Sequence, residues 1–492
     1  MHVLLIYPSF PDTFWSFRHA LRFIRKRASL PPLGLITVAS MLPKDWSLRL
    51  VDMNVTSLKR RDLEWADCAF ISAMMVQRES TEQVIELCQS LGLRTVAGGP
   101  LFTELPEEFP TVDHLVLGEG EVTIKPFVED LRAGTAKHIY QADRFPDLSE
   151  TPPPRWDLLN LKHYSDMSVQ YSRGCPYDCE FCDITALFGH RPRTKSAEQI
   201  ITELDGLYDA GWRGGVFFVD DNFIGNKRKL KQEILPALAA WRVGKQGFRF
   251  HTEASINLAD DPELMEMMVQ AGFDTVFVGI ETPNEDALKE CNKFQNQGRD
   301  LVASVKTLQR AGLQVQGGFI VGFDSDTPSI FQRQIDFIQR SGIVTAMVGL
   351  LQVLPASKLH TRMAKEGRLL AESSGNNTAA SLNFLPKMDA EVLRRGYRNL
   401  MQQIYSPKMY YERVRTFLRE YKKPTIVRPK IEWSHIAAFF RSIWVLGVIG
   451  AERFEYWKLL LWTLMRKPRL FAEAVTLAIY GYHFRKLSLQ MS

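Results

Sequence analysis

The chain has 492 residues, 45% apolar and 24% charged, with a net charge of +5. That length and balance allow two to four domains with cores of their own and exclude a disordered or collagen-like chain. Its six cysteines are too few for a disulfide framework, and no uncharged apolar run reaches the roughly 18–20 residues needed to span a bilayer.

The chain opens Met1-His2-Val3-Leu4-Leu5-Ile6-Tyr7-Pro8, without the charged start, long apolar core and small-residue site of a signal peptide. A cytoplasmic protein is expected. Strands are predicted at 3–7, 48–52, 68–72, 94–97 and 115–117, with helical patterns between them at 33–42 and 81–91. Such alternation predicts a parallel doubly wound sheet, which binds ligands at the carboxyl ends of its strands. The loops at those ends are Pro8–Pro11, Ala73–Gln77, Gly98-Gly99-Pro100 and Gly118-Glu119-Gly120-Glu121. Glycine permits close approach of backbone to ligand, and a plain turn explains any one of these loops equally well.

A linker is expected from 144 to 165, where Pro146 and Pro152-Pro153-Pro154 interrupt the pattern. Alternation then resumes, with strands predicted at 168–171, 215–219, 248–251, 275–278, 315–321 and 346–353 and helices such as 197–210 and 261–271. Six βα units predict a partial barrel over 166–375 with its active site at the strand carboxyl ends. From 376 to 492 the chain reads as helical. From Lys422 onward 12 Lys and Arg stand against 4 Glu, so the tail carries about +8 and the remainder about −3. The tail is also apolar at 437–450, 457–465 and 470–482 and holds Trp433, Trp444, Trp457 and Trp462. Interfacial helices combine these features; a helical lid packed on the barrel is the alternative. Nucleic acid is not an expected partner.

The central motif is Cys175-Pro176-Tyr177-Asp178-Cys179-Glu180-Phe181-Cys182, directly after a predicted strand. Thiolates suit iron–sulfur clusters. A structural zinc site wants four protein ligands, and only three are local here, so a zinc knuckle would need a distant fourth. Cys68, Cys88 and Cys291 read as ordinary buried thiols. Three ligands leave one iron of a [4Fe–4S] cluster open.

On this motif the chain resembles the radical S-adenosylmethionine (SAM) superfamily, in which the open iron chelates SAM. The resemblance implies SAM contacts at Asp220, Asp221 and Asn222 after the second barrel strand, Glu253 and Asn257 after the third, Gly279 and Glu281 after the fourth, and Gly322 after the fifth. An Asp pair at a strand end is also a common helix cap. The N-terminal part, 1–143, resembles the Rossmann-like cobalamin-binding domain of one large subclass, which implies cobalamin contacts at Pro8, Ser72, Gln77, Gly98, Gly99, Gly118 and Glu119. No Asp-x-His-x-x-Gly stands in the first βα loop, so the resemblance implies cobalamin without a histidine below cobalt, over Met74–Gln77. The C-terminal part resembles the extension of a subgroup that includes hopanoid C-2 methylases. It implies methylation of an unactivated carbon of a lipid-like substrate, a flavodoxin- or ferredoxin-type reductant, and a position at the membrane surface. A non-methylating cyclase or oxidoreductase acting on a tetrapyrrole or lipid is the alternative reading. A sensor without catalysis is the second.

Overall fold

A computed structural model of the chain describes residues 1–142, 144–245, 247–376, 378, 380–424 and 433–490. The domain end expected at 143 and three tail charges, Arg428, Lys430 and Glu432, lie outside the described residues.

The first sheet holds β1 (His2–Tyr7), β2 (Ser47–Asp52), β3 (Cys68–Ser72), β4 (Arg94–Gly98), β5 (His114–Leu117) and β6 (Ile139–Gln141). All are parallel, in the order β2-β1-β3-β4-β5-β6. Helices cover both faces, which is why β1 is an unbroken apolar run. Side chains alternate along each strand. Leu4, Ile6, Ala69, Ile71 and Ala97 enter one core, and Val3, Leu5, Cys68, Phe70 and Val96 the other. Cys68 and Cys88 are core thiols, pushed up by burial to about 12 and about 11.

The second sheet holds β7 (Asp166–Val169), β10 (Gly215–Phe218), β11 (Arg249–Glu253), β12 (Phe273–Glu281), β13 (Gln314–Val321) and β14 (Ala346–Leu350). It is parallel in the order β14-β13-β12-β11-β10-β7 and does not close. A short hairpin, β8 (Ser172–Arg173) and β9 (Arg193–Thr194), stands beside it. An open sheet leaves edge groups to be satisfied. At β7 and the residue before it, Asp166 N and Ser165 N donate to Ser29 O and Ala28 O at 3.0 and 3.1 Å. At β14 the Tyr405 hydroxyl takes Ala346 N and donates to Ala346 O, and Tyr397 donates to Val348 O at 3.0 Å.

The two tyrosines belong to the C-terminal part, which packs its helices Ala390–Ile404, Pro407–Glu420, Arg453–Arg466 and Phe471–Gln490 into the same core as the second sheet. Arg413 is fully buried there, donating to Gln339, Ile404 O and Val344 O. Gly481 exists for Tyr410, since a Cβ would lie 2.3 Å from its ring. The lid reading of the tail is therefore correct for its inner side. No described helix is long and apolar enough to cross a membrane.

Candidate active site

The loop between β8 and β9 carries the three cysteines. Gly174 turns it at φ +92, where a Cβ would stand 2.8 Å from Gly189 O. The hairpin pins both loop ends, Ser172 to Thr194 and Arg173 to Arg193. Inside the loop, Cys182 N donates to Cys179 O at 3.1 Å and Glu180 N to Cys291 O at 3.0 Å. Arg362 holds the Glu180 carboxylate at 2.6 and 3.0 Å, and Lys358 holds Asp178. Burial raises all three thiols above their ordinary value, and the Lys293 ammonium acts against it. Burial also opposes the charge on Lys293, but Glu281 at 2.7 Å and the neighbouring cysteines raise it above its usual range. Among the described residues no three His, Cys, Asp or Glu side chains converge on a single-ion site.

The strand ends beside this loop are rich in carboxylates. Asp221 accepts from Gly174 N at 2.8 Å, and burial pushes it up to about 6. Burial, followed by the charges of Asp221 and Asp220, pushes Glu253 up to about 8. Glu281 sits at φ +62, a conformation unusual for a side-chain-bearing residue. Asn296 supports this bend by donating to Gly279 O and Ile280 O. Gly279 leaves space for the Glu281–Lys293 pair, since its Cβ would lie 2.3 Å from Glu281 Oε1. Asn257 donates to the Tyr177 hydroxyl at 2.8 Å and so ties the cysteine loop to the end of β11. Crowded, half-buried carboxylates with one lysine among them are short of positive charge, and SAM, with its sulfonium and ammonium, is a cation of fitting chemistry.

Some of the expected SAM contacts have other work. Asp220 is 1% exposed, and its carboxylate accepts from Tyr171 N and from the backbone and hydroxyl of Ser172. It shapes the turn into β8. Asn222 is buried and accepts from Ser255 N at 3.1 Å. Gly322 makes a tight turn at φ +108, with Asp326 accepting its N–H at 2.9 Å.

In the N-terminal domain, the strand-end side chains are occupied, and two half-exposed glycines let neighbouring segments close in. Gln77 is buried, donating to Pro8 O and accepting from Met74 N at 2.9 Å, so it joins two loops and is not free for a ligand. A Cβ on Gly98 would lie 2.7 Å from Val116 O; on Gly99, at φ +92, it would lie 2.9 Å from the Ser72 hydroxyl. Met74 is exposed beside this glycine bed, and no histidine stands on loops 73–77, 98–100 or 118–121. These features fit a broad flat group without a protein imidazole. A concavity of about 670 Å³ by Ser9, Arg27, Val55 and Lys59 lies on this domain but touches none of the cysteines.

The two rims face each other. Glu119, expected at cobalamin, is instead buried between Arg173 of β8 and Arg193 of β9, at 2.5 and 2.6 Å. Glu121 joins Arg173 at 2.9 Å and accepts from Thr151 at 2.7 Å. Burial raises the Glu121 pKa, but Arg173 more than offsets it and holds the carboxyl below its usual range. Glu104 meets Asp183, next to Cys182, and burial with this neighbour pushes Glu104 up to about 9. Neither the hairpin nor these pairs was read from the sequence: two-residue strands leave no periodicity, and ion pairs across more than 50 residues leave no spacing.

Comparison with known proteins agrees with this arrangement. Residues 25–128 match the family described as B12 binding domain, 169–338 the radical SAM superfamily, and 357–492 a domain of unknown function, DUF4070. The chain is 43% identical to an uncharacterised methyltransferase of Synechocystis sp., over 98% of this chain and 91% of that protein. It is 35% identical to the hopanoid C-2 methylase of Rhodopseudomonas palustris, over 94% and 89%. Among solved structures, the cobalamin-dependent SAM radical enzyme OxsB shares the fold, at a TM-score of 0.64 and 15% identity, covering 99% of this chain and 80% of OxsB.

Proposed function

The chain belongs to the cobalamin-dependent radical SAM methyltransferase family, which works with a [4Fe–4S] cluster, SAM and cobalamin, and on that premise we propose that it methylates an unactivated carbon of a lipid-like, hopanoid-type substrate. The observation that carries the reading is the match along nearly the whole chain to a hopanoid C-2 methylase, and the clamp of Glu119 and Glu121 on Arg173 and Arg193 supports it by fixing the N-terminal rim against the cysteine loop. When bound, the cofactors supply the electron, the hydrogen-abstracting radical and the methyl group; the protein orients them and excludes water.

Each group of residues has a part in this reading. Cys175, Cys179 and Cys182 would hold the cluster, with Lys293 compensating its negative charge. Asp221 and Glu253 would bind the cationic SAM, and Glu281, paired with Lys293, would border it. Gly98, Gly99 and Gly118 would bed cobalamin, with Met74 beneath it. Trp15, partly exposed with its ring 5.0 Å from that of Phe277 on β12, would offer apolar surface to a lipid. A flavodoxin- or ferredoxin-type protein would deliver the electron, and the enzyme would meet its substrate at a membrane surface. The test is lipid profiling of a deletion strain beside its parent. Loss of a methylated lipid on deletion, restored by the wild-type gene and not by a Cys179→Ala gene, supports the reading; an unchanged lipid profile contradicts it.

A further inference from the structure

The helix Trp433–Ser442 continues with a wider turn over Ile443–Val448. Its inner side, with Ala438 and Leu446, enters the core. Its outer side shows Trp433, Ile436, Phe440, Trp444 and Val448, with Trp433 at 84% and Trp444 at 61% exposure. Steps of three and four residues place them in one stripe. The next helix, Arg453–Arg466, repeats this plan. Tyr456, Leu459 and Leu460 are buried, while Phe454, Trp457, Leu461, Leu464 and Met465 are exposed. Trp457 donates to Gly447 O at 2.9 Å, so the two stripes adjoin. This is a large exposed apolar area for a folded chain.

Charge is sorted around it. Arg453, Lys458, Arg466 and Arg469 are exposed on or beside the second helix. Each described acid from 433 onward meets a cation on its inner side: Glu452 meets Arg485 at 2.5 Å, Glu455 meets Arg415 at 3.6 Å while also reaching the outer Lys458 at 3.8 Å, and Glu473 meets Lys423. Outward, then, the face combines tryptophan, aliphatic side chains and cations. Apolar side chains at this density enter the headgroup boundary of a bilayer, and the cations favour anionic headgroups. The helix is anchored on its inner side, where Arg441 donates to Phe23 O at 2.5 Å, on the short helix Arg18–Ile24.

We propose that this helical pair is a docking face for an anionic lipid bilayer, seating the enzyme so that a poorly soluble substrate reaches the barrel without crossing water. Its purpose rests on the lipid-substrate reading; its geometry does not. The test uses full-length, cluster-reconstituted protein cosedimented with phosphatidylcholine vesicles, with and without phosphatidylglycerol, at low and high salt. Binding should be at least tenfold tighter to anionic vesicles and should weaken with salt. Trp444→Ser with Leu461→Ser should lose tenfold or more, and so should the exposed charge pair Arg466→Glu with Arg469→Glu. Iron content and activity on detergent-dispersed substrate should stay unchanged in both. Wild-type protein that remains in the supernatant, or binds neutral vesicles equally well, overturns the proposal. So does a dimer that these same substitutions dissociate, because a second copy then covers the face. Docking without any lipid product leaves the face intact and removes the substrate reading; lipid product without docking does the reverse.

Discussion

The two rims that meet at the candidate active site are built on opposite plans. At the barrel rim, Asp221 and Glu253 are crowded, half-buried and held above their usual range, with Lys293 already engaged by Glu281. At the N-terminal rim the polar side chains are satisfied: Gln77 by two loops, Glu119 and Glu121 by arginines. What that rim presents is glycine backbone. A rim short of positive charge would select a small cation by side chains; a rim already satisfied would accept a large flat group by shape. Both plans leave a site whose needs only its ligands meet, one electrostatic and the other steric.

The strongest break in this contrast is Cys179→Ala. Removing one of three ligands should lower iron from about four per chain to background and take SAM cleavage below detection, as read by iron assay and product chromatography. Arg173→Ala attacks the join between the rims. It leaves Glu121 buried without its arginine and Glu119 with Arg193 alone, and should cost about 3–5 kcal/mol of stability, read as a lower thermal midpoint. Arg173→Lys should recover only part, because a lysine cannot reproduce the forked contacts to both carboxylates.

Glu253→Gln tests the barrel rim alone. In the free protein its carboxyl is raised to about 8, so it carries a proton at neutral pH. A bound cation favours the ionised form. SAM binding should therefore release protons and tighten as pH rises from about 6 to 8, a trend that calorimetry in buffers of different ionisation heat would resolve. The variant should bind SAM about tenfold more weakly and lose most of that pH dependence. The stability sign is the reverse. The native free state holds a proton that the unfolded state has already released, so native stability falls between the ordinary carboxyl value and about 8, and the variant should remove that fall. The smallest effect belongs to the other rim. Gly99→Ala forces a side chain into a left-handed conformation against Ser72 and should cost about 1–2 kcal/mol. Cobalamin binding should weaken, by absorbance titration, while iron content stays unchanged.

Much of the scaffold was legible because periodicity carried it. Strands β1 to β5 begin or end within a residue of the apolar runs, and the six barrel strands follow in the expected order. β6 was missed because three residues with two exposed ends give no pattern. The cysteines were legible as a spacing, and the glycine loops as sites of close approach. Roles that depend on a distant partner were not. Glu119, Gln77 and Asp220 stand in the expected loops, but their side chains are engaged by Arg173, Pro8 and Ser172, and sequence shows no such pairing. Lys293 was missed for the same reason: a lone lysine after a helix gives no sign that it faces Glu281 and the cysteines. The tail's outward stripes were visible as composition, but only the fold separates the face packed on the barrel from the face left exposed.

The central claim is that two cofactor rims serve one cavity and transfer a methyl group. Its most direct test is anaerobic turnover of the reconstituted enzyme with lipid substrate and SAM carrying a deuterated methyl group. The account predicts a lipid product heavier by the whole labelled methyl, with S-adenosylhomocysteine and 5′-deoxyadenosine formed together in equal amounts. Formation of 5′-deoxyadenosine with an altered but unmethylated product, and no S-adenosylhomocysteine, would contradict it.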